Sequence, residues 1–84
     1  MQEADIERNL KEFIRKEFMA GHPDVVLEND LSLIETGLID SLGIFTLIAH
    51  LEESFGVKIA SEDVVVENFE TIETLKNLVL QRSR

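Results

Sequence analysis

The sequence predicts an all-α fold: a small four-helix bundle with a long first loop and a short third helix. Three observations predict it. Apolar residues recur at helical spacing in three separate segments, near residues 4–20, 41–55 and 72–79. The stretch 22–39 keeps a high apolar content but has no sustained period, which marks an ordered loop pinned to a core rather than a free linker. The remaining segment, 57–70, has room for only a short helix. At 84 residues the chain has the length of one domain, 1–84, without internal repeats or low-complexity segments.

The elements follow in order. Ile6, Leu10, Phe13, Ile14 and Phe18 form one stripe, with Arg8, Lys11, Arg15 and Lys16 between them, and Gly21 and Pro23 supply a stop. In the loop, Leu27, Leu31, Leu33, Ile34 and Leu38 accompany Pro23, Gly37 and the acids Asp24, Glu28, Asp30 and Glu35. The helical pattern returns at Ser41 and ends at Gly56. Ser61-Glu62-Asp63 reads as an N-cap with acids in a first turn, opening a helix that Asn68 soon interrupts. Thr71 caps a last helix with Ile72, Leu75, Leu78 and Val79 inward, and Lys76 and Arg82 toward its C-terminal end.

Composition narrows the chemistry. Hydrophobic residues at 44% and charged residues at 30% are ordinary globular usage and argue against disorder. There is no cysteine, so disulfides, thiolate metal sites and a cysteine nucleophile are excluded. His22 and His50 form no ligand-spaced pair, and no metal site is expected. No apolar run approaches the ~20 residues of a membrane span. The first residues carry acid where a secretory signal carries base. The expectation is a cytoplasmic monomer. Net charge is −9, unevenly spread: residues 17–75 hold thirteen acids and one base, Lys58, a local −12. That field repels nucleic acid and anionic membranes and attracts a basic protein surface or divalent cations.

The helix from Ser41 has two apolar sides. At about 100° per residue, Ile44, Leu47, Ile48, Leu51 and Phe55 share one arc, the core face. Leu42, Phe45 and Ala49 fall opposite, near Thr46 and Glu53, with Glu52 at the edge. A small bundle needs one buried stripe, so the second meets either a neighbouring element or an outside partner. Ser41 lies in the first turn, where Asp40 or Ser41 is an N-cap. Sequence places no His, Lys or second acid to activate its hydroxyl, so no catalytic residue is assigned. A helix N-terminus nevertheless favours a phosphoester, through free N–H groups and the dipole.

Gly37-Leu38-Ile39-Asp40-Ser41-Leu42, then Leu47-Ile48, Leu51-Glu52-Glu53-Ser54-Phe55-Gly56-Val57-Lys58-Ile59 and Asn68-Phe69-Glu70-Thr71-Ile72, resembles the acyl carrier protein family over nearly the whole chain. The resemblance implies a non-enzymatic, free-standing carrier. Its 4′-phosphopantetheine arm, transferred from coenzyme A, is attached to Ser41 and holds acyl or aminoacyl groups as thioesters. Asp40 is implied in recognition by the phosphopantetheinyl transferase and its divalent metal; metal binding by Asp40 in the free protein does not follow. Leu42, Phe45, Ala49, Glu52 and Glu53 correspond to the docking face for that transferase and for acyl- or aminoacyl-loading and acyl-processing enzymes with basic docking surfaces.

There are departures. Fatty-acid carriers commonly place further acids where this chain has Gly43 and Thr46, so docking is expected to lean on Phe45 and Ile44 more than on charge. The region Glu62 to Glu70 is slightly longer, and Glu67 to Ile72 is more similar to free-standing carriers of aminoacyl or specialised biosynthetic systems. Ile44, Leu47, Ile59, Val64 and Val65 either line a cargo cavity or fill the core, with core the default. The alternative function is an acidic helical interaction or regulatory subunit in which Ser41 is only a helix cap. A small helical enzyme is weaker still, lacking any acid–base pair, with His50 on a surface flank and His22 in the loop.

Overall fold

Each periodic segment forms a helix in the computed structural model, which describes residues 2–21 and 24–83. In chain order these are α1 (Glu3–Phe18), α2 (Ser41–Phe55), α3 (Val66–Phe69) and α4 (Ile72–Arg82), with a 3₁₀ turn at Ser61–Asp63. No strand occurs among the described residues. His22 and Pro23, read from sequence as loop and helix stop, lie outside them.

α1 buries Ile6, Leu10 and Ile14, with Glu3 and Asp5 in its first turn and Arg15 and Lys16 in its last, matching the helix dipole. It ends at Phe18 rather than near 20, because Met19 leaves helical geometry and joins the core. α2 ends as expected at Gly56, whose φ of 65° is left-handed and whose N–H donates to the Glu52 carbonyl. α4 is capped by Thr71: its hydroxyl accepts from Thr74 N–H at 3.1 Å, while Thr74 Oγ1 accepts from Thr71 N–H at 3.1 Å. Such a cap contributes about 1 kcal/mol. Ile72, Leu75, Leu78 and Val79 all face inward, as the pattern requires.

The loop between α1 and α2 is held by its own backbone. Leu33 N–H donates to the Glu70 carbonyl at 2.7 Å, Glu73 N–H to the Asn29 carbonyl at 3.0 Å, and Ile39 N–H to the Leu33 carbonyl at 3.0 Å. Two of these bonds stitch the loop to the α3–α4 junction, and the Asn29 carbonyl satisfies an orphan N–H of α4. Leu27, Leu33, Leu38 and Ile39 are buried in the same core as the helices. The radius of gyration, 11.8 Å, matches the ~12 Å of a compact chain of this length, so the loop lies on the bundle.

The segment after α2 departs from expectation. Ser61 does not open the third helix; Ala60 precedes an isolated 3₁₀ turn, and α3 starts only at Val66. The cause is Asp63. One of its oxygens accepts from Ala60 N–H at 3.0 Å and the other pairs with Arg82 of α4. This draws Asp63 inward, and the chain leaves the turn extended at Val65. Asn68, expected to interrupt a helix, sits inside α3, where its Nδ2 donates to the Asp63 carbonyl at 2.8 Å. The default of a core made by Ile44, Leu47, Ile59, Val64 and Val65 holds only in part. Leu47 is buried, Ile44 and Ile59 are half-buried, and Val64 and Val65 lie on the surface.

Lys76 is also more than a dipole partner. It is buried, and its ammonium meets Glu3 at 3.2 Å and Glu7 at 3.1 Å on α1, and Glu73 at 3.0 Å on α4. Hydrogen bonds that it donates to Glu73 and Glu7 raise its pKa above the ordinary lysine value. Asn29 and then Lys76 hold the Glu7 carboxyl below the usual carboxylate range.

Candidate functional site

Ser41 is reached through a tight turn. Gly37 takes a left-handed φ of 78°, its N–H donating to the Ile34 carbonyl at 3.0 Å, and Leu38 and Ile39 then turn into the core. Anchoring these two residues fixes where Asp40 begins the helix. Asp40 is in extended geometry, its Oδ1 accepting from Gly43 N–H at 2.8 Å and its carbonyl from Ile44 N–H at 3.0 Å. Sequence left the cap open between Asp40 and Ser41; Asp40 takes it.

Ser41 is therefore the first helical residue, exposed, with its hydroxyl in no hydrogen bond among the described residues. A covalently attached phosphodiester fits this position. It needs an accessible hydroxyl whose loss leaves the helix capped, and it gains from the positive end of a 15-residue helix. The arm that the family resemblance implies would supply a terminal thiol, which a chain without cysteine does not carry itself.

Of the second apolar stripe, Leu42 is 75% exposed, Phe45 65%, and Ala49 is exposed as well. Phe45 is not packed under the described part of the loop, residues 24–39. Thr46 and Glu53 are exposed beside them, so Ser41, Leu42, Phe45, Ala49 and Glu53 share one accessible side of α2. Glu52 differs: it is half-buried, and its Oε2 accepts from Ile59 N–H at 3.0 Å, tying down the chain after the helix. Ile44 is half-buried against the core, leaving Phe45 as the exposed apolar group of the pair. Gly43 faces inward. A Cβ there would lie 3.0 Å from both Ile39 Cγ2 and Phe18 Cε1, so close approach of α1 and the loop accounts for a glycine at that position.

One residue that sequence reasoning placed on a surface flank is half-buried. The His50 ring stacks on Phe13 of α1, centroids 3.7 Å apart and planes at 12°. Its Nε2–H donates to Asn9 Oδ1 at 2.6 Å, and Ser54 Oγ–H donates to Nδ1 at 3.3 Å. Burial pushes its pKa below the ordinary histidine value. The partners Asn9 and Phe13 are some forty positions away in sequence, so no local spacing rule signals the contact.

Comparison with known proteins agrees with this geometry. The family described as "Phosphopantetheine attachment site" matches residues 9–79. The D-alanyl carrier protein of Lacticaseibacillus casei (strain BL23) is 45% identical over 40 residues, covering 48% of this chain and 49% of that protein. That of Lacticaseibacillus rhamnosus is 46% identical over 39 residues, 46% of this chain and 48% of that protein. The chain thus spans about half the length of the curated relatives it matches. A chain of the solved structure described as "Crystal structure of FAD-dependent dehydrogenase" is similar with a TM-score of 0.73 and 36% identity, over 83% of this chain and 97% of that one. The family match implies a covalently attached 4′-phosphopantetheine. With that match running from α1 to α4 through the Ser41 turn, the chain belongs to the phosphopantetheine attachment site family, whose carrier members are not themselves catalytic.

Proposed function

We propose that this protein is a carrier that holds an aminoacyl or acyl group as a thioester on an arm attached to Ser41 and presents it to partner enzymes. The observation that carries this is the division of labour at the start of α2: Asp40 caps the helix and leaves the adjacent Ser41 hydroxyl exposed and unengaged. An interaction subunit in which Ser41 is only a cap has no support in that geometry. The similarity to D-alanyl carrier proteins favours an aminoacyl cargo, in line with the Glu67–Ile72 resemblance.

In this reading Asp40 assists the phosphopantetheinyl transferase and its metal, and Leu42, Phe45, Ala49 and Glu53 form the docking face, with Glu52 at its margin. Loading and processing enzymes with basic surfaces are the partners. In this reading the carrier domain works as a monomer in the cytoplasm. Among the described residues no helix is long and apolar enough to cross a membrane.

Incubation with coenzyme A, magnesium and a broad-specificity phosphopantetheinyl transferase tests the reading by intact mass. One phosphopantetheine per chain is expected. An unchanged mass with several active transferases would overturn it.

A further inference from the structure

Of the four glycines, Gly43 is the one on which side chains close in; at Gly21, Gly37 and Gly56 a Cβ would meet nothing within 4 Å. It is also the one inside a helix, where glycine is less stable than alanine, so its place in the first turn of α2 has a cause outside the helix. We propose that Phe18, seated on Gly43, is a positioning residue for attachment of the arm: it holds Asp40 and Ser41 in register with the rest of α2 during transfer. That step forms a bond from Ser41 Oγ to the pantetheine-bearing phosphorus of coenzyme A and breaks the pyrophosphate P–O bond. Adenosine 3′,5′-bisphosphate leaves, and the hydroxyl proton is released. The proposal rests on the carrier reading and extends it to the end of α1.

Three contacts meet at Gly43. Its N–H is the donor that Asp40 Oδ1 accepts at 2.8 Å, so it is half of the helix cap. A Cβ on it would lie 3.0 Å from Ile39 Cγ2 and 3.0 Å from Phe18 Cε1. Neither neighbour is free to yield. Ile39 is buried, its N–H donates to the Leu33 carbonyl at 3.0 Å, and Leu33 N–H donates to the Glu70 carbonyl at 2.7 Å. It therefore hangs from the junction of α3 and α4. Phe18, the last residue of α1, meets Phe13 edge to face with centroids 6.0 Å apart. Phe13 is itself stacked on His50, in the middle of α2. α1 thus braces α2 at two levels, His50 and Gly43. With both neighbours held, an added methyl group is accommodated by movement of the first turn, which carries Asp40 and Ser41. Phe45, Ala49 and Glu53, one, two and three turns beyond Ser41 on the exposed side, stay in place. Transfer geometry tolerates little displacement, so the loss falls on turnover and not on docking.

The test measures steady-state loading of the full chain by one phosphopantetheinyl transferase with coenzyme A and magnesium, and amide hydrogen exchange of the unloaded protein. Gly43→Ala is expected to lower kcat about tenfold, and Phe18→Leu several-fold, with KM for the carrier unchanged within about twofold. Leucine lacks the Cε1 atom, so the two changes compensate and the double variant regains most of the lost kcat. Exchange at the residue 43 amide should quicken in each single variant and slow again in the double one. Thermal melts check folding; if Gly43→Ala does not fold, Phe18→Leu at its half-buried position decides alone. A glycine needed for packing alone would change the melts and leave kcat intact. Unchanged kcat in a folded single variant, a loss carried by KM, or a double variant no faster than the slower single one would overturn the proposal. A wild-type chain that gains no arm overturns the carrier reading and this inference with it; a wild-type chain that loads, beside variants that load as fast, overturns this inference alone.

Discussion

The α1–α4 seam and the outer side of α2 use the same residue type in opposite ways. On the seam, Glu3, Glu7 and Glu73 converge on Lys76, and at the far end of α4 Arg82 is matched by Asp63 of the 3₁₀ turn. On the α2 side, Glu53 lines an open groove with Glu17 of α1, neither has a cationic partner among the described residues, and Leu42 and Phe45 stand exposed next to Ser41. A chain with seventeen acids and eight bases cannot pair every acid one to one. This one places two bases where they hold helices together and leaves the accessible face of α2 negative and apolar. That combination repels nonspecific anionic surfaces and suits a basic, partly apolar partner.

The sharpest way to break this contrast is to truncate one apolar residue from each side of α2. Leu51→Ala, in the core, should cost about 2–5 kcal/mol. Phe45→Ala should cost less than about 0.5 kcal/mol, as expected for an exposed position, while lowering turnover by the transferase or a loading enzyme roughly tenfold. Melting temperatures and loading rates on both variants check this. Equal destabilisation by the two would merge the faces.

Acid should act on the seam next. Glu7 and Asp63 are held below the ordinary values of 4.5 and 3.8, Glu7 chiefly by Asn29 and then Lys76, Asp63 chiefly by Arg82. Groups lowered in the folded state contribute stability that is present above the unfolded value and lost as pH falls through the folded one. His50, lowered from 6.5 by burial, follows the same sign and begins to destabilise as pH drops below about 6.5. Lys76, raised above 10.5, keeps its contribution until strongly alkaline pH. Melting temperature should therefore decline mildly from about 6.5 and steeply below about 4.5, and His50→Gln should flatten the first phase only.

Salt should have the smallest effect. It screens the paired acids of the seam and relieves repulsion among the unpaired ones, and the local −12 of residues 17–75 makes relief the larger contribution. Thermal melts should rise modestly with added salt or millimolar magnesium, and Glu17→Gln with Glu53→Gln should reduce the rise. A melting temperature that falls with salt would show that the seam dominates.

Periodicity was enough to read α1, α2 and α4, because each carries its own stripe and its own end signal: Gly56 closes α2 and Thr71 opens α4. The Ser41 region was legible for a similar reason, as its Gly37–Leu42 motif is contiguous. Position 61 was misread because the local cap signal of Ser61-Glu62-Asp63 competes with Arg82, nineteen residues beyond Asp63, and the long-range pair wins. Lys76 and His50 were missed for the same physical reason. A lysine looks exposed until Glu3 and Glu7 arrive from the other end of the chain, and His50 looks like a surface flank until α1 lays Phe13 across it. Gly43 stood out in sequence as a missing acid, whereas its cause is the approach of Phe18 and Ile39.

The claim on which the rest depends is that adjacent residues at the start of α2 have separate duties, Asp40 holding the helix and Ser41 holding the arm. Intact mass after loading, combined with thermal melts of Ser41→Ala and Asp40→Ala, tests it directly. Ser41→Ala should abolish addition of phosphopantetheine and leave the melting temperature unchanged, whereas Asp40→Ala should lose about 1 kcal/mol of stability through the missing cap. A Ser41→Ala protein that still gains the arm, or that melts as early as Asp40→Ala, would contradict the account.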